Sequence, residues 1–369
     1  MKEEEIIFHI ALSKLKGLGS RNFKRLINEF GSASSIAKAR SRDIAALPNI
    51  GEHIARQLKN ELDLNRAEKI FQLENDKGAR VLCYSDPAYP SRLRRMADGP
   101  IVLYFKGEQE LNPRRTVGIV GTRKPSEEGI DLVNNFVSEL KAFNVVTISG
   151  LAYGIDGIAH RSSLDNGIPT IGVLAGGLSN IYPKTHLQLA NKMCKQGGLL
   201  TEFTNDQEMI RENFPVRNRI IAGLSDALIV VESKEQGGSM ITAQLAFDYN
   251  RFVFAFPGRI IDDKSKGCNK LIKNHIASLI ENASDIAELL NWDIGTDETI
   301  PAQGMLFNEM SQDEMRLIEI IREEGHRIHI DRLTTLSRYR SGLLANLLLE
   351  LEFKGVIQSL PGQMYRLRN

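Results

Sequence analysis

The sequence has few cysteines, a single tryptophan and almost no excess charge of either sign. Its 369 residues include three cysteines and one tryptophan, and the formal net charge is +1. Cys83, Cys194 and Cys268 have neither the spacing of metal ligands nor the even number of a disulfide framework, so we expect reduced thiols and no metal. Without a general positive charge, any binding to nucleic acid must rest on a local basic patch.

Long apolar runs are also missing from the chain. No stretch approaches the ~18 apolar residues of a membrane-spanning helix, and the first residues show no secretory signal pattern. We therefore expect no membrane association and a cytoplasmic location. The apolar fraction of 42% is sufficient for a large core, and the length predicts two or three domains.

Residues 1–75 have apolar positions at helical spacing and predict a helical domain. Two glycine-containing turns, at 15–20 and 47–51, each precede a helix, a pattern typical of helix-hairpin-helix (SAM-like) modules. One interpretation is that these helix starts bind DNA phosphate. Four cations lie near the first turn: Lys16, Arg21, Lys24 and Arg25. The other interpretation is that the glycines only shape tight corners of an interaction domain, and Glu52 disfavours an anion at the second turn.

From about Arg80 onward, short apolar runs alternate with helical stretches. The predicted strands are Val81–Tyr84, Ile101–Phe105, Thr116–Val120, Val145–Ser149, Thr170–Leu174, Ala227–Val231 and Phe252–Phe256. Several are apolar throughout, as expected for strands that are covered on both faces. This alternation predicts an α/β fold with a doubly wound, mostly parallel sheet. Ligands bind such sheets at the carboxyl ends of the strands.

Glycine-containing turns closely follow four of these predicted strands. They are Gly121-Thr122-Arg123, Ser149-Gly150, Gly176-Gly177 and Gly237-Gly238-Ser239. Glycine lets a ligand approach the backbone, while hydroxyl and guanidinium groups suit phosphate. Lys184 lies beyond the third turn, and Arg217 and Arg219 precede the strand that begins at Ala227. Together these residues predict one phosphate-binding edge of the sheet.

Two pairs of side chains near this edge have more than one interpretation. Asp156 and His160 are four residues apart and share a helix face, which suits either acid–base chemistry or capping and packing beside the site. The second is favoured. Tyr153 and Tyr182 border the glycine turns, and for both a place in the core wall is favoured over base stacking.

Ordered blocks of sequence cover residues 80–280. They include Tyr89-Pro90-Ser91-Arg92-Leu93, Val117–Arg123, Ser149–Asp156 with Ala159-His160, Tyr182-Pro183, Phe214–Ser225, Gly238–Ala243, Phe254–Gly258 and Gly267–Ile272. This series resembles the bacterial DNA-processing protein A (DprA) family, also called Smf. Small departures from the family pattern affect local loops: Ala175 before the Gly176-Gly177 turn, Gln236 to Ser239, and His275-Ile276-Ala277.

The resemblance implies an extended Rossmann-like domain over residues 80–290 and a protein that is not an enzyme and needs no cofactor. It implies binding of single-stranded DNA, protection of incoming DNA during natural transformation, a homodimer, and loading of the recombinase RecA. The residues expected to contact DNA are Gly121, Thr122, Arg123, Ser149, Gly150, Gly176, Gly177, Lys184, Arg217, Arg219, Gly238 and Ser239. Of Arg217 and Arg219, one is expected to bind phosphate and the other to be buried and paired with Glu202 or Glu232. The dimer face is expected near Met240–Phe247 and the strand that follows.

Residues 291–308 are polar and irregular, which is typical of a linker. Residues 309–369 show helical patterns at Asp313–Glu324, Ile330–Leu336 and Ser341–Phe353, then two short strands around Pro361-Gly362, which is a winged-helix order. The third helix has no internal lysine or arginine, so protein interaction or structural support is favoured over reading of duplex DNA. This part also resembles the C-terminal domain that many family members carry.

An enzyme is the alternative from another functional class. Nucleotide-processing phosphoribohydrolases use a similar sheet edge, with a carboxylate that attacks or protonates the sugar bond. Glu202 and Asp156 are the candidates for that carboxylate.

Overall fold

The computed structural model describes residues 1–47, 50–292, 311–324, 327–354, 356–360 and 364–367. The chain divides into two compact units, Met1–Gly295 and Thr296–Asn369. Within the described ranges, no helix has the length and apolar character needed to span a bilayer. No group of His, Cys, Asp or Glu residues in those ranges has the arrangement of a metal site. Most of the predicted linker, from residue 293 on, lies outside the described residues.

The first unit begins with short helices packed on one another. They are α1 Glu3–Ser13, α2 Ser20–Phe30, α3 Ala33–Lys38, α4 Ser41–Ala45, α5 Gly51–Asn60 and α6 Leu64–Asp76. Ile10, Leu12, Phe23 and Leu26 are fully buried between them. Gly17, in the turn between α1 and α2, has a φ of 80°, the left-handed conformation that favours glycine. Pro48 and Asn49 of the second predicted turn lie outside the described residues.

A large mixed sheet forms the rest of this unit. Its strands are β1 Arg80–Cys83, β2 Val102–Gly107, β3 Thr116–Val120, β4 Val146–Ser149, β5 Thr170–Val173, β6 Gly198–Thr201, β7 Ala227–Val230, β8 Phe252–Ala255 and β9 Ser278–Leu279. Their order across the sheet is β1-β2-β6-β5-β4-β3-β7-β8-β9. Every neighbouring pair from β6 to β9 is parallel, and β1–β2 and β2–β6 are antiparallel. The predicted α/β fold with a mostly parallel, Rossmann-like sheet is confirmed.

Helices cover both faces of the sheet, which explains why β3, β4, β5 and β7 are buried along their whole length. The helices after β1 are α7 Ser91–Arg94, α8 Glu127–Leu140, α9 Ile155–Asp165, α10 Leu187–Gln196, α11 Asn213–Leu224, α12 Gly238–Asp248, α13 Lys266–Lys273 and α14 Ala283–Leu289. Apolar residues of α8, α9 and α14 share one core with β3 and β7. Residues of α11, α12 and α13 form the core on the other face.

Three elements of the first unit were not predicted. Strand β6 was overlooked because Gly197 and Gly198 at its start indicate a loop, and β9 is only two residues long. The segment that contains Arg217 and Arg219 forms helix α11. Pro215 lies within its first turn, where proline is tolerated.

The second unit contains α15 Gln312–Glu323, β10 Arg327–His329, α16 Ile330–Ser337, α17 Ser341–Phe353, β11 Ile357–Leu360 and β12 Met364–Leu367. The three strands pair antiparallel in the order β10-β12-β11. Leu317, Ile321, Leu333, Leu344 and Leu351 form its core. The three predicted helices are present, whereas β10 was not predicted. Pro361 and Gly362 lie outside the described residues, and the winged-helix assignment stays a prediction.

Candidate nucleic-acid interface

The order of the strands reverses between β3 and β7. From β3 the chain proceeds through β4 and β5 to β6 on one side, and from β7 through β8 to β9 on the other. In open parallel sheets the connections diverge at such a point and leave a crevice at the carboxyl ends of the strands. Gly121-Thr122-Arg123 follows β3 and residues 233–237 follow β7, so both segments border this crevice.

A cavity of about 440 Å³ lies in the crevice, and we call it the candidate pocket. Six of the residues predicted to contact DNA line it: Gly121, Thr122, Arg123, Arg217, Gly238 and Ser239. Arg123 is exposed, and its guanidinium lies over the ring of Phe214, 5.7 Å from the ring centre. A flat cation held on an aromatic ring keeps its hydrogen-bond donors available for an anion.

The first turn of α12 forms another wall of the candidate pocket. The helix begins at Gly238, where a side chain would meet open space, and Gly238, Ser239, Ile241 and Thr242 all line the cavity. The hydroxyl of Ser239 donates to that of Ser233 at 2.8 Å and so fixes the start of the helix to the segment after β7. Amide groups in the first turn of a helix carry partial positive charge and bind anions.

Arg217 places a buried positive charge at the bottom of the candidate pocket. Only 4% of the residue is exposed, and its Nη1 donates to the carbonyl oxygens of Gly150 and Val173, both at 2.6 Å. Burial lowers the pKa of Arg217 to about 10, and the carboxylate of Asp156 opposes this shift. Arg217 is therefore still protonated at neutral pH.

Ser149 and Gly150 are not among the residues that line the pocket, and a DNA strand close to their backbone stays a prediction. Both are buried, and the hydroxyl of Ser149 donates to the Ile119 carbonyl at 2.6 Å. A side chain at Gly150 would overlap the guanidinium of Arg217. The glycine makes room for the buried arginine.

Arg219 points away from the pocket. In an α-helix, residues two apart lie about 200° apart around the axis, so Arg217 and Arg219 face different surroundings. Arg219 forms an ion pair with Glu202 and donates to the Asp98 carbonyl at 2.6 Å. Of the two proposed partners, Glu202 is therefore the correct one. Glu232 accepts hydrogen bonds from the backbone amide and the hydroxyl of Ser126, at the start of α8.

Gly176 and Gly177 are buried, and the segment that follows β6 packs against them. A side chain at Gly176 would meet Met209 at 3.3 Å, and one at Gly177 would meet the backbone of Asn205 at 2.6 Å. These glycines admit the chain itself, and the expected close passage of a DNA strand at this turn stays a prediction. Lys184 is exposed and lines a neighbouring hollow.

Three aromatic side chains, Tyr153, Tyr182 and Phe214, form a ridge between the candidate pocket and this hollow. Ring centres of Tyr153 and Tyr182 are 6.3 Å apart, and those of Tyr182 and Phe214 are 5.8 Å apart. Tyr153 is 45% exposed and Tyr182 is 42% exposed. The favoured interpretation of both tyrosines as core wall is therefore wrong, because the turns after β4 and β5 lift them to the surface.

Asp156 and His160 do not form a catalytic pair. His160 is fully buried, its Nδ1 is 2.7 Å from the Thr170 hydroxyl, and burial lowers its pKa to about 3. Asp156 accepts a hydrogen bond from the Ala152 amide at 3.4 Å, and burial raises its pKa. Packing beside the site, one part of the favoured interpretation, is what the structure shows, whereas the start of α9 has no side-chain cap. The first amide of α9, that of Ile155, donates to the Thr122 carbonyl at 3.1 Å, so it does not face an anion.

Lys24 is one of the four cations near the first glycine turn, and its ammonium group is engaged by the protein itself. Its ammonium group donates to the carbonyl oxygens of Arg94, at 3.0 Å, and Met96. Burial lowers its pKa to about 8. Lys24 therefore holds α2 against the segment that precedes β2.

Comparison with known proteins identifies the family. The sequence profile described as DNA recombination-mediator protein A matches residues 80–291, more than half of the chain. The chain belongs to this family. It is 41% identical to DNA processing protein DprA of Bacillus subtilis over 64% of this chain and 80% of that protein. It is 35% identical to protein Smf of Escherichia coli over 83% of this chain and 85% of that protein.

Two solved structures of relatives are similar to this fold. DNA processing protein A from Streptococcus pneumoniae superposes with a TM-score of 0.66 and 31% identity, over 78% of this chain and 99% of that one. The structure from Helicobacter pylori superposes with a TM-score of 0.53 and 28% identity, over 58% of this chain and 97% of that one. That structure is described as giving insight into the unique single-stranded DNA binding mode of the H. pylori protein.

Sequence reasoning missed Phe214 and the segment from Ser233 to Gln236, which also line the candidate pocket. The spacing of residues along a helix could have identified Phe214 as a pocket residue. It lies three residues before Arg217, so both fall on one face once the segment is recognised as a helix. No such signal exists for residues 233–236, because only the pairing of β3 with β7 brings them to the crevice.

Proposed function

We propose that this protein binds single-stranded DNA through the candidate pocket and acts in DNA processing during natural transformation. The observation that carries the proposal is the convergence of Arg123, Arg217 and the first turn of α12 on one cavity. Each of the three suits phosphate: a stacked guanidinium, a buried positive charge and a helix start. Kinship with proteins named DNA processing protein A supports the same conclusion.

Exposed aromatic rings beside the cations favour a strand with flexible, accessible bases over a duplex. Binding rests on a local group of cations, since the net charge of the chain is +1. The aromatic ridge beside those cations offers exposed rings for base stacking. Cations that follow the backbone and rings that stack on bases produce binding with little sequence preference and a strong dependence on salt.

Further parts of the proposal follow the family. The protein protects incoming DNA, forms a homodimer and loads the recombinase RecA onto the bound strand, as a cytoplasmic DNA-binding protein without a cofactor. Residues 1–75 serve as a helix-hairpin-helix domain, 80–290 as the DNA-binding domain and 309–369 as a winged-helix domain for protein interaction or support. Arg219 serves to hold α11 in place through Glu202.

Binding is a better proposal than phosphoribohydrolase activity, because both candidate carboxylates have other partners. Glu202 is paired with Arg219. Asp156 is buried next to Arg217 and accepts the Ala152 amide. We therefore expect no release of base from nucleoside monophosphates in a turnover assay.

The experiment compares wild type with an Arg123→Ala, Lys184→Ala double variant in binding a labelled single strand and the matching duplex over a salt series. We expect the single strand to bind more tightly. The variant should bind it more weakly, with a salt slope that is shallower by about 0.7 for each phosphate that it no longer neutralises.

Lys141→Ala with Lys195→Ala is the matched control. It removes the same charge from exposed lysines at the ends of α8 and α10, at the opposite edge of the sheet. The control should bind like wild type. A preference for duplex, or equal loss of affinity in both double variants, would contradict the proposal.

A further inference from the structure

A second cavity opens beside the candidate pocket, on the other side of the aromatic ridge. Its volume is about 510 Å³, and its lining includes Tyr182, Lys184, Leu187 and Met209. We call it the base hollow. Cavities of about 300–1,000 Å³ with apolar walls and a few polar groups are typical of small-molecule sites.

The walls of the base hollow expose apolar surface in a fixed position. Leu187, the first residue of α10, is 52% exposed. Tyr182 is held by its edge contacts to Tyr153 and Phe214. Met209 is held where its side chain packs against Gly176. An exposed apolar wall at the surface indicates a site that a flat apolar ligand covers.

The charged groups that line the base hollow restrict the kinds of ligand that can bind there. Lys184 lies at the hollow and has no ion pair with a described residue, so its ammonium group is available to a phosphate. Glu208 also lines the hollow. A carboxylate repels a second phosphate but accepts hydrogen bonds from the amino group of a base. One cation, one acceptor and an apolar wall together match a nucleotide rather than phosphate alone.

The aromatic ridge is all that separates the base hollow from Arg123 in the candidate pocket. The ring of Tyr182 contacts that of Phe214, and Arg123 lies over the other end of this pair, 5.7 Å from the Phe214 ring centre. A strand with one phosphate at Arg123 therefore reaches the base hollow by crossing Tyr182.

We propose that the base hollow holds a nucleobase of the bound strand, with its phosphate at Lys184. This inference rests on the proposed function, because it assumes that a single strand occupies the candidate pocket. It adds a base-dependent contribution to affinity, which a phosphate track alone does not have.

The test uses a labelled oligonucleotide and the same sugar–phosphate backbone with abasic residues. Wild type should bind the normal strand about tenfold more tightly, since stacking of a single base contributes on this scale. Leu187→Ala with Met209→Ala should reduce this preference to the part that stacking on the aromatic ridge contributes, while keeping the affinity for the abasic strand and the salt slope. Leu187→Trp, which enlarges the stacking surface, should bind the normal strand more tightly and leave binding of the abasic strand unchanged.

Leu289→Ala is the matched control, because Leu289 is similarly exposed but lies on α14, which packs with α8. It should behave as wild type. An unchanged preference in the double variant would overturn the inference and leave the proposed function standing. Equal binding of normal and abasic strands by wild type would overturn the inference together with base stacking on the aromatic ridge. Failure of wild type to bind either strand would overturn both the inference and the proposed function.

Discussion

Arg217 is buried beneath the candidate pocket because residue 150 has no side chain. Its guanidinium occupies the space that a Cβ atom at Gly150 would need, and it satisfies the carbonyl oxygens of Gly150 and Val173. A buried charge that loses such partners is costly, so the position of Arg217 depends on this single glycine.

Gly150→Ala should therefore both destabilise the protein and weaken DNA binding. The added methyl group forces the guanidinium out of place, and overpacking of this kind costs about 1–3 kcal/mol. Denaturant unfolding gives the change in the free energy of unfolding, and fluorescence anisotropy gives the affinity for a labelled single strand.

Gly238→Ala is the control for the stability part of this prediction. A side chain there meets open space at the start of α12, so the free energy of unfolding should stay the same or rise by up to about 1 kcal/mol. An equal free energy of unfolding for the Gly150→Ala variant and wild type would contradict the prediction, because it would show that the Arg217 guanidinium can move without loss of stability.

Among the secondary-structure elements, strands with continuous apolar runs were the easiest to predict and α11 was the hardest. Buried parallel strands have continuous apolar runs, so β3 and β7 could be located to within a residue. Helix α11 contains Pro215 and two arginines, which obscure its periodicity. The different roles of Arg217 and Arg219 follow from the helical rotation between them, and this rotation cannot be applied until the helix is recognised.

Helix α13 ends in a conformation that its sequence does not favour. The amides of His275 and Ile276 donate to the carbonyl oxygens of Ile272 and Leu271, both at 3.0 Å, which is a Schellman motif. His275 has a φ of 56°, a left-handed conformation. A left-handed conformation costs a residue other than glycine about 1–2 kcal/mol.

His275→Gly should therefore increase the free energy of unfolding, by about 1 kcal/mol. Asn274→Gly, one residue earlier at a φ of −89°, is the control and should decrease it, because glycine there only adds freedom to the unfolded chain. Chemical denaturation of both variants measures the difference. A loss of stability in both would contradict the account of this helix end.

At the scale of the whole molecule, the candidate pocket is a product of topology. Residues 121–123 and 233–239 are distant in sequence, and the parallel pairing of β3 with β7 brings them together. The sequence predicts that the glycine turns share one edge of the sheet, because each follows a strand. The sequence does not predict which of these turns remain accessible to a ligand. The segment after β6 covers Gly176 and Gly177, and that packing involves a strand without a clear sequence signal.

The same sheet ends in an exposed apolar edge at β9. Leu279 is 49% exposed, Phe252 of β8 is 48% exposed and Phe247 of α12 is 46% exposed. With Ile276 they line a cavity of about 570 Å³. Among the described strands, none pairs with the outer side of β9. Unpaired strand edges flanked by apolar side chains readily pair with another chain, so this edge is our candidate for the face of the proposed homodimer.

Leu279→Asp should convert a dimer into a monomer, because it places a charge in the centre of this apolar face. Light scattering over a range of concentrations measures the mass. A long single strand that reaches the candidate pockets of both subunits should bind the Leu279→Asp variant about a hundredfold more weakly than it binds wild type. A short strand that fills one pocket should bind both proteins with the same affinity. Leu64→Asp is the control: Leu64 is the exposed first residue of α6, which packs on the helices that precede β1, and it should remain dimeric. A monomeric wild type at micromolar concentration, or a dimeric Leu279→Asp variant, would rule out this face and direct the search for the interface to another surface.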